Sequence, residues 1–571
     1  RHMALAWSRQ NGGTTLRFLD AFSAILVAMM VSFAMPAVAK DRLVIGITQF
    51  PANFHPAIES MLAKTLITSM ARRPVTAYDP DWKLICLLCT DLPTLENGLA
   101  ERVTTAEGKP GIRVTYTLKS GLVWGDGTAL TSADVAFTWN LGKHPQSGFG
   151  GAELYRRILA VDVLDDRRFT LTFDRVSHDY NDISGFDILP RHLEEPATKD
   201  MARYRENNAY DRDPTAPGLW FGPYRVAEVV TGVSVTLERN PVWTGKKPAF
   251  DSIVFKAIEN TAALEANLLS GNLDMIAGEL GLSIDQAVAF EKRHGEKFKV
   301  TYRPGLIYEH IDLNLDDPVL SDPRVRQGLL LALDRDVLSA RLFGGRQPVA
   351  DSNVNPLDAN HWTGTPRYAH DPARAAALFD EAGFSEVKDG IRHDKDGRPL
   401  RFELMSTAGN RIREVVEQVL QSQWRQVGVA VDIRNEPPRV FFGETVTKRA
   451  FPHMAMFAWI SAPDSVPRTT LHSAHIPAAE SNWAGQNYTG YKSAEMDALI
   501  DAAEVELDAA KRQDLWAKMQ ALYARDLPAL PLYFRAEPHV WPRQLTGIRP
   551  TGHQYVSSLW VEDWGWDDSA R

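Results

Sequence analysis

Apolar and polar residues alternate over Asp41–Phe50, where Leu43, Ile45 and Ile47 share one face, the period of a strand. Arg113–Trp124 and Arg167–Arg175 carry sheet-strand patterns between turn residues, and Tyr224–Trp243 predicts a β-hairpin reversing at Thr231-Gly232. The period changes in the second half. Ile412, Val415, Val416, Val419, Leu420, Trp424 and Val427 recur at helical spacing up to Gly428, and a strand over 429–433 follows. Asp371-Pro372 opens another helix, with Ala376, Phe379 and Ala382 inward and Gly383 past its end. Met496, Leu499, Ile500 and Ala503 predict one later helix, and Leu515, Trp516, Met519, Leu522 and Tyr523 the next. Leu527–Phe534 closes them with a strand between prolines. Together these elements predict an α/β chain of two lobes, one with a β-rich insertion.

Composition places this pattern in a globular chain. Its 571 residues are 44% hydrophobic and 24% charged, so at about 100–200 residues per domain more than one domain is expected. The formal net charge is −9 and there is no long basic run, which excludes the electrostatic footprint of a nucleic-acid binder. Residues 1–39 are expected to be processed rather than folded. Arg1-His2-Met3 reads as a tag scar, Arg9 and Arg17 form a basic start, and Ala21–Met35 is an apolar core of signal-peptide length. The small-x-small site Ala37–Ala39 predicts a mature start at Lys40, and no cysteine follows it to carry a lipid anchor. No later segment is long and apolar enough to span a bilayer, so a soluble, exported, Gram-negative periplasmic product is expected. The two cysteines, Cys86 and Cys89, are expected to be a local disulfide or inert thiols. A redox pair should open a helix, and no Cys or His partner lies at zinc-ligand spacing.

The most specific stretch is Val123–Asn140, "VWGDGTALTSADVAFTWN". It fails as a calcium loop, because after Asp126 the next acid is Asp134. It holds no His or Cys to build a nucleophile–base pair. As scaffold it reads as a Gly125-Asp126-Gly127 turn followed by a helix capped by Thr131, with Asp134 closing a capping box. Together with the preceding "YTLKSGL", this stretch resembles the signature of the family 5 extracellular solute-binding proteins, the oligopeptide, dipeptide and nickel receptors of bacterial ABC importers. Ala129 stands for the usual Pro and Ser132 for the usual Ala. The resemblance continues in order through Gly222–Trp243, Leu268–Ile276, Leu320–Leu338, Asn487–Ala503 and Arg512–Phe534.

The resemblance implies a two-lobed periplasmic binding protein type II fold of the large cluster C type, with an extra inserted α+β domain. Lobe I would comprise 40–71, 218–303 and 528–571, the inserted domain 72–217, and lobe II 304–527. The implied action is capture of a peptide or peptide-like solute between hinged lobes and delivery to an inner-membrane ABC permease. A monomer with no cofactor, no bound metal and no catalysis is expected. In such receptors an Asp after a lobe II Trp holds the ligand's amine; by spacing from Trp459 that place holds Ala462, and Asp464 follows two residues later. The carboxylate-clamping Arg falls on Thr407, with Arg411 nearby. The candidate ligand contacts are therefore Trp459, Ser461, Asp464 and Arg411. To these are added Tyr308, His310 and Asn314 on one strand face, Gln49, Asn53 and His55 after the first strand, and Trp483 and Asn487. His55 alone before Pro56 reads as a turn residue rather than a nickel ligand. The missing clamps leave open a non-peptide solute: a metal chelate, an opine-like sugar conjugate or an oligosaccharide. A chaperone-like binder and an exported hydrolase are the remaining readings.

Overall fold

The computed structural model describes residues 41–58, 61–278, 280–437, 440–481 and 485–567. The expected targeting segment and Trp483 lie outside these described residues.

Two strands organise the chain. Phe298–Leu313 runs sixteen residues and pairs antiparallel with the fourteen-residue strand Ala529–Pro542. The second strand is much longer than the run between prolines that the sequence predicts, because Pro531, Pro538 and Pro542 are accommodated within it. Both belong to one ten-stranded sheet among the described residues. On one side lie the parallel strands Arg42–Ile47, Ser252–Ala257 and Met275–Ile276, extended by the hairpin Tyr224–Val230 and Ser234–Arg239. On the other lie Met454–Ile460, Arg401–Met405 and Ala430–Ile433. The two-lobed α/β fold is therefore one sheet crossed by two long strands, with a separate four-stranded sheet built from Ala100–Thr104, Pro110–Thr117, Ile158–Val163 and Arg168–Phe173.

Local chemistry explains why the elements start and stop where they do. Thr131 caps the helix Ser132–Gly142: its Oγ1 accepts the Ala133 N–H at 3.2 Å, and Asp134 accepts the Thr131 N–H at 2.9 Å. The preceding turn closes through Gly127, whose N–H reaches Trp124 O and whose φ is +88°. Asp371 caps Pro372–Glu381, with Ala375, Leu378 and Phe379 buried; Ala376 is only half-buried, one position from the predicted stripe. Cys86 and Cys89 are joined in a disulfide.

The ladder between the two long strands shifts register between Pro304 and Tyr308. At Gly305 the chain passes a loop from the C-terminal region so closely that an added Cβ would lie 2.4 Å from Gly552 O. Leu306 N–H donates to the same carbonyl at 2.9 Å, and Asn355 Nδ2 donates to Gly305 O at 2.5 Å. Because the atoms an added Cβ would meet all belong to the Gly552 backbone, a methyl here cannot be absorbed by a rotamer change. Gly305→Ala is expected to cost about 1–3 kcal/mol through forced backbone displacement. Calorimetry would read this as a lower Tm; an unchanged Tm would show that the crossing point is not tightly packed.

Candidate functional site

Side chains of a strand point alternately to its two faces, and the crossing strand uses this to carry opposite chemistry on each. On one face stand Tyr308, His310 and Asp312. The register puts Tyr308 opposite Trp459 and His310 opposite Phe457, while Phe534 of the returning strand flanks Tyr308 on its other side. The rings meet as that register requires: Tyr308 and His310 stack with centroids 4.9 Å apart, His310 meets Phe457 edge-on at 4.7 Å, and Trp459 stacks on Tyr488 at 5.5 Å. Against this wall lies a cavity of about 160 Å³, bounded on its other sides by Asn355, Asp358, Trp516, Tyr523 and the turn after Ile460. Both nitrogens of the buried His310 face oxygen, Nδ1 at 3.2 Å from Tyr308 O and Nε2 at 3.1 Å from Asp312 Oδ1. Asp358 accepts the N–H groups of Asn360 and Asp464. Burial raises its carboxyl above the usual range and the neighbouring Asp464 adds to this, while the two N–H donors oppose it.

The opposite face carries Glu309, which has 0% exposure. Arg413 Nε and Arg535 Nη2 each donate to it at 2.6 Å. Burial works against its charge, but Arg535 and Arg413 outweigh burial and hold the carboxyl below the usual glutamate range. Arg413 Nη1 also donates to Thr407 Oγ1 at 3.0 Å. A cavity of about 360 Å³ opens here, lined by Arg413, Arg535, Thr48, Ser283, Gln286 and Asn410. Ser283 and Asn410 cap the helices Ile284–His294 and Arg411–Gln426, so two helix N-termini face this space. Glu537 lines the same cavity, so two guanidiniums stand against two carboxylates, Glu309 and Glu537, and the two helix N-termini supply the remaining positive potential.

Of the residues expected from sequence, Tyr308, His310, Trp459 and Ser461 come together around the smaller cavity. Arg411 is exposed at the rim of a neighbouring space with Thr407, Ser283 and Phe442. Asp464 takes a left-handed backbone, φ +56°, and its carboxylate is already engaged, accepting from Asn360 Nδ2 at 2.6 Å and pairing with Arg512 at 3.4 Å. Gln49 is exposed and Asn53 accepts from Lys64 Nζ at 3.1 Å; neither lines the two cavities described above. Three expectations are corrected. Asn314 donates to Phe451 O instead of facing the cavity that holds Tyr308 and His310. Asn487 is wholly buried, donating to His472 O and Tyr491 O and accepting from Thr489 Oγ1 and Tyr491 N–H, which organises its own turn. His55 is wholly buried away from the cleft. Its Nδ1 accepts the Ala57 N–H, so its proton sits on Nε2, which donates to Tyr204 Oη at 3.0 Å; that hydroxyl donates to Glu194. Burial, then Lys64 and Arg72, drive the His55 pKa well down and keep it neutral.

Sequence reasoning missed Asp358, Asn355, Trp516 and Tyr523. Trp516 and Tyr523 sit on a core-like helical stripe, and Asn355 and Asp358 in a polar loop without periodicity. No spacing rule points to them. Ala462 and Ser465 were within reach of the sequence reading: they border both the smaller cavity and a third one, about 370 Å³, lined also by Tyr78, His178 and Asp182.

Residues 94–477 match the family described as bacterial extracellular solute-binding proteins, family 5 Middle. The oligopeptide-binding protein AppA of Bacillus subtilis (strain 168) is 25% identical over 525 residues, covering 89% of this chain and 88% of that one. The oligopeptide-binding protein of Thermus thermophilus, solved with a pentapeptide, is 28% identical with a TM-score of 0.67, covering 93% of this chain and 97% of its own. NikZ of Campylobacter jejuni, solved with Ni(L-His), shares the fold at 21% identity and a TM-score of 0.68, covering 92% of this chain and 100% of its own.

The Glu194 network makes a pH prediction. Burial raises this carboxyl from 4.5 to about 7, against the opposing hydrogen bonds from Tyr204 and Ala209 N–H. A raised acid stabilises the fold fully below the unfolded pKa, and the contribution is lost as pH climbs towards the folded value. From pH about 4.5 to 7 this group therefore removes about 3 kcal/mol. In Glu194→Gln that slope is absent, so the variant's stability relative to the parent should rise between pH 4.5 and 8. Denaturant titrations at both values measure it, and a constant difference would refute the assignment.

Proposed function

The chain belongs to the bacterial extracellular solute-binding proteins of family 5, and on that premise we propose that it is the peptide-binding receptor of an ABC importer. It captures a peptide between its lobes in the periplasm and presents it to the membrane permease, acting as a monomer and without catalysing a reaction. The family is one of solute receptors, and the relatives named above include oligopeptide-binding proteins. Among the described residues no helix is long and apolar enough to cross a membrane.

The observation that carries the reading is the division of charge across the crossing strand. On one side two helix N-termini and the partly exposed Arg535 offer N–H donors to an anion. Asp312 and Asp358 border the cavity on the other side. Between them the strand Met454–Ile460 ends with Ile460 at 75% exposure, and the chain leaves the sheet. A zwitterionic chain laid across this strand end meets a matching charge at each side, with apolar and aromatic surface between. In this reading exposed Arg411 and partly exposed Arg535 take the ligand's carboxylate in place of the clamp missing at Thr407, since the Arg413 guanidinium against that threonine is buried and held by Glu309. Asp464 is not assigned the ligand's amine, since Arg512 and Asn360 already hold it. In this reading lobe I is 40–71, 218–303 and the C-terminal tail, lobe II starts at 304, and 72–217 is the inserted domain.

Native mass spectrometry of protein purified from its host should show co-purifying peptide masses that vanish after unfolding and refolding. For the refolded protein, a peptide at 100 times its Kd should add about 2.7 kcal/mol of stability, and Trp459→Ala should abolish that gain while remaining folded. A co-purifying anionic chelate or sugar acid, with no response to peptides, would replace the peptide by a non-peptide solute on the same site.

A further inference from the structure

The cavity behind Trp459 is too small to hold a whole ligand. Its volume of about 160 Å³ falls below the roughly 300–1,000 Å³ of sites that enclose drug-sized molecules. It has the size of a side-chain pocket, and its walls are selective in charge. Asp312 and Asp358 line it, and among the described residues no Lys or Arg does. His310 is the one basic side chain among the described lining residues, and its Nε2 lies 3.1 Å from Asp312 Oδ1. The guanidiniums nearest the turn after Ile460 are committed elsewhere: Arg468 pairs with Asp501 and Glu504, and Arg512 pairs with Asp464.

The apolar part of the wall mixes aromatic rings with aliphatic side chains such as Leu306, Val354, Val466 and Leu471. Tyr308, Trp459, Trp516 and Tyr523 all border the cavity. Aromatic faces attract a desolvated cation through the ring quadrupole, and carboxylates complete its coordination. Asp358 also has an unmet electrostatic demand: burial and the neighbouring Asp464 disfavour its charge, and a cation in the cavity would relieve this. Trp516 Nε1 is buried with no hydrogen-bond partner and lies on the same wall, 3% of the residue being exposed. The cavity shares Ala462 and Ser465 with the larger space lined by Tyr78 and His178, so it opens from the region where two distant parts of the chain meet.

We propose that this cavity is a specificity pocket for a basic side chain, lysine or arginine, of the captured solute. This rests on the peptide-receptor reading above and adds which peptides are taken. The aromatic rings hold the aliphatic stem and the face of the cation, and Asp358 and Asp312 receive its N–H groups at the end.

The test is calorimetric titration with host peptides of one length, carrying Lys, Arg, Met, Gln or Glu as the single guest, each with a free and an N-acetylated terminus. Lys and Arg guests should bind about tenfold tighter than Met or Gln, Glu should bind most weakly, and the order should survive acetylation. Thr469→Lys places a cation at an exposed lining position without touching the core. It should erase the preference while leaving the affinity for Met peptides within about threefold, and Asp358→Asn should weaken Lys and Arg guests more than Met guests. Equal affinity for Lys and Met guests overturns the proposal. So does a preference that follows the free amino terminus and not the guest. If no peptide binds, the peptide reading falls, and the pocket is decided separately by thermal shift with arginine and lysine against citrulline and norleucine. Stabilisation by the cationic member of each pair alone upholds it; equal or absent responses overturn it.

Discussion

Glu309 is a carboxylate with no exposure to water, and it keeps its charge only because two guanidiniums from distant parts of the chain reach it. Arg535 comes from the returning long strand, and Arg413 from the first turn of the helix Arg411–Gln426. Removing one partner of such a buried group leaves an uncompensated charge, which costs several kcal/mol, whereas the intact set is close to neutral in free energy. The set therefore acts as a register device more than as a source of stability. It pins the crossing strand, its partner and the start of a helix in one arrangement. That arrangement also brings Arg413 and Arg535 to the same wall of the cavity beside it.

The same strand separates two kinds of chemistry that would cancel if mixed. Guanidiniums and helix N-termini lie on one face, and the aromatic wall with Asp312 and Asp358 on the other. The alternation of side chains along a strand makes this separation automatic once the register is set, and a slip of one residue would exchange the two faces. The ladder of Trp459, Tyr308 and Phe534 across three strands adds to that register on the aromatic side.

Distant segments also touch at polar points. His178 N–H donates to Glu504 O at 2.8 Å, and its ring Nε2 lies 3.0 Å from Asp464 O. Asp464 thus belongs to a junction: its backbone meets His178, its N–H caps Asp358, and its carboxylate takes Arg512 and Asn360. A residue so fully used positions the turn beside the cavity. Its left-handed backbone, uncommon for a non-glycine residue, is held by these same bonds.

Local patterns along the chain determined much of this protein. The helix at 411–426, the hairpin at 224–239, the Thr131 cap and the Gly127 turn were legible because period and capping chemistry act over a few neighbouring residues. The ordered set of motifs was enough to point to the family and its two-lobed fold. That Tyr308 and His310 would share one face was legible because strand alternation survives into the fold, and pairing sets Trp459 beside them. The length of the returning strand was not, since its prolines argue locally against it and only pairing with Phe298–Leu313 overrides them. Nor was the fate of the charges. Whether Asp464, Arg413 or Asp358 is spent internally or faces a cavity depends on partners 48 to 106 positions away. Electrostatics and hydrogen bonding act through space, so only the tertiary structure could decide which charges remain for a ligand.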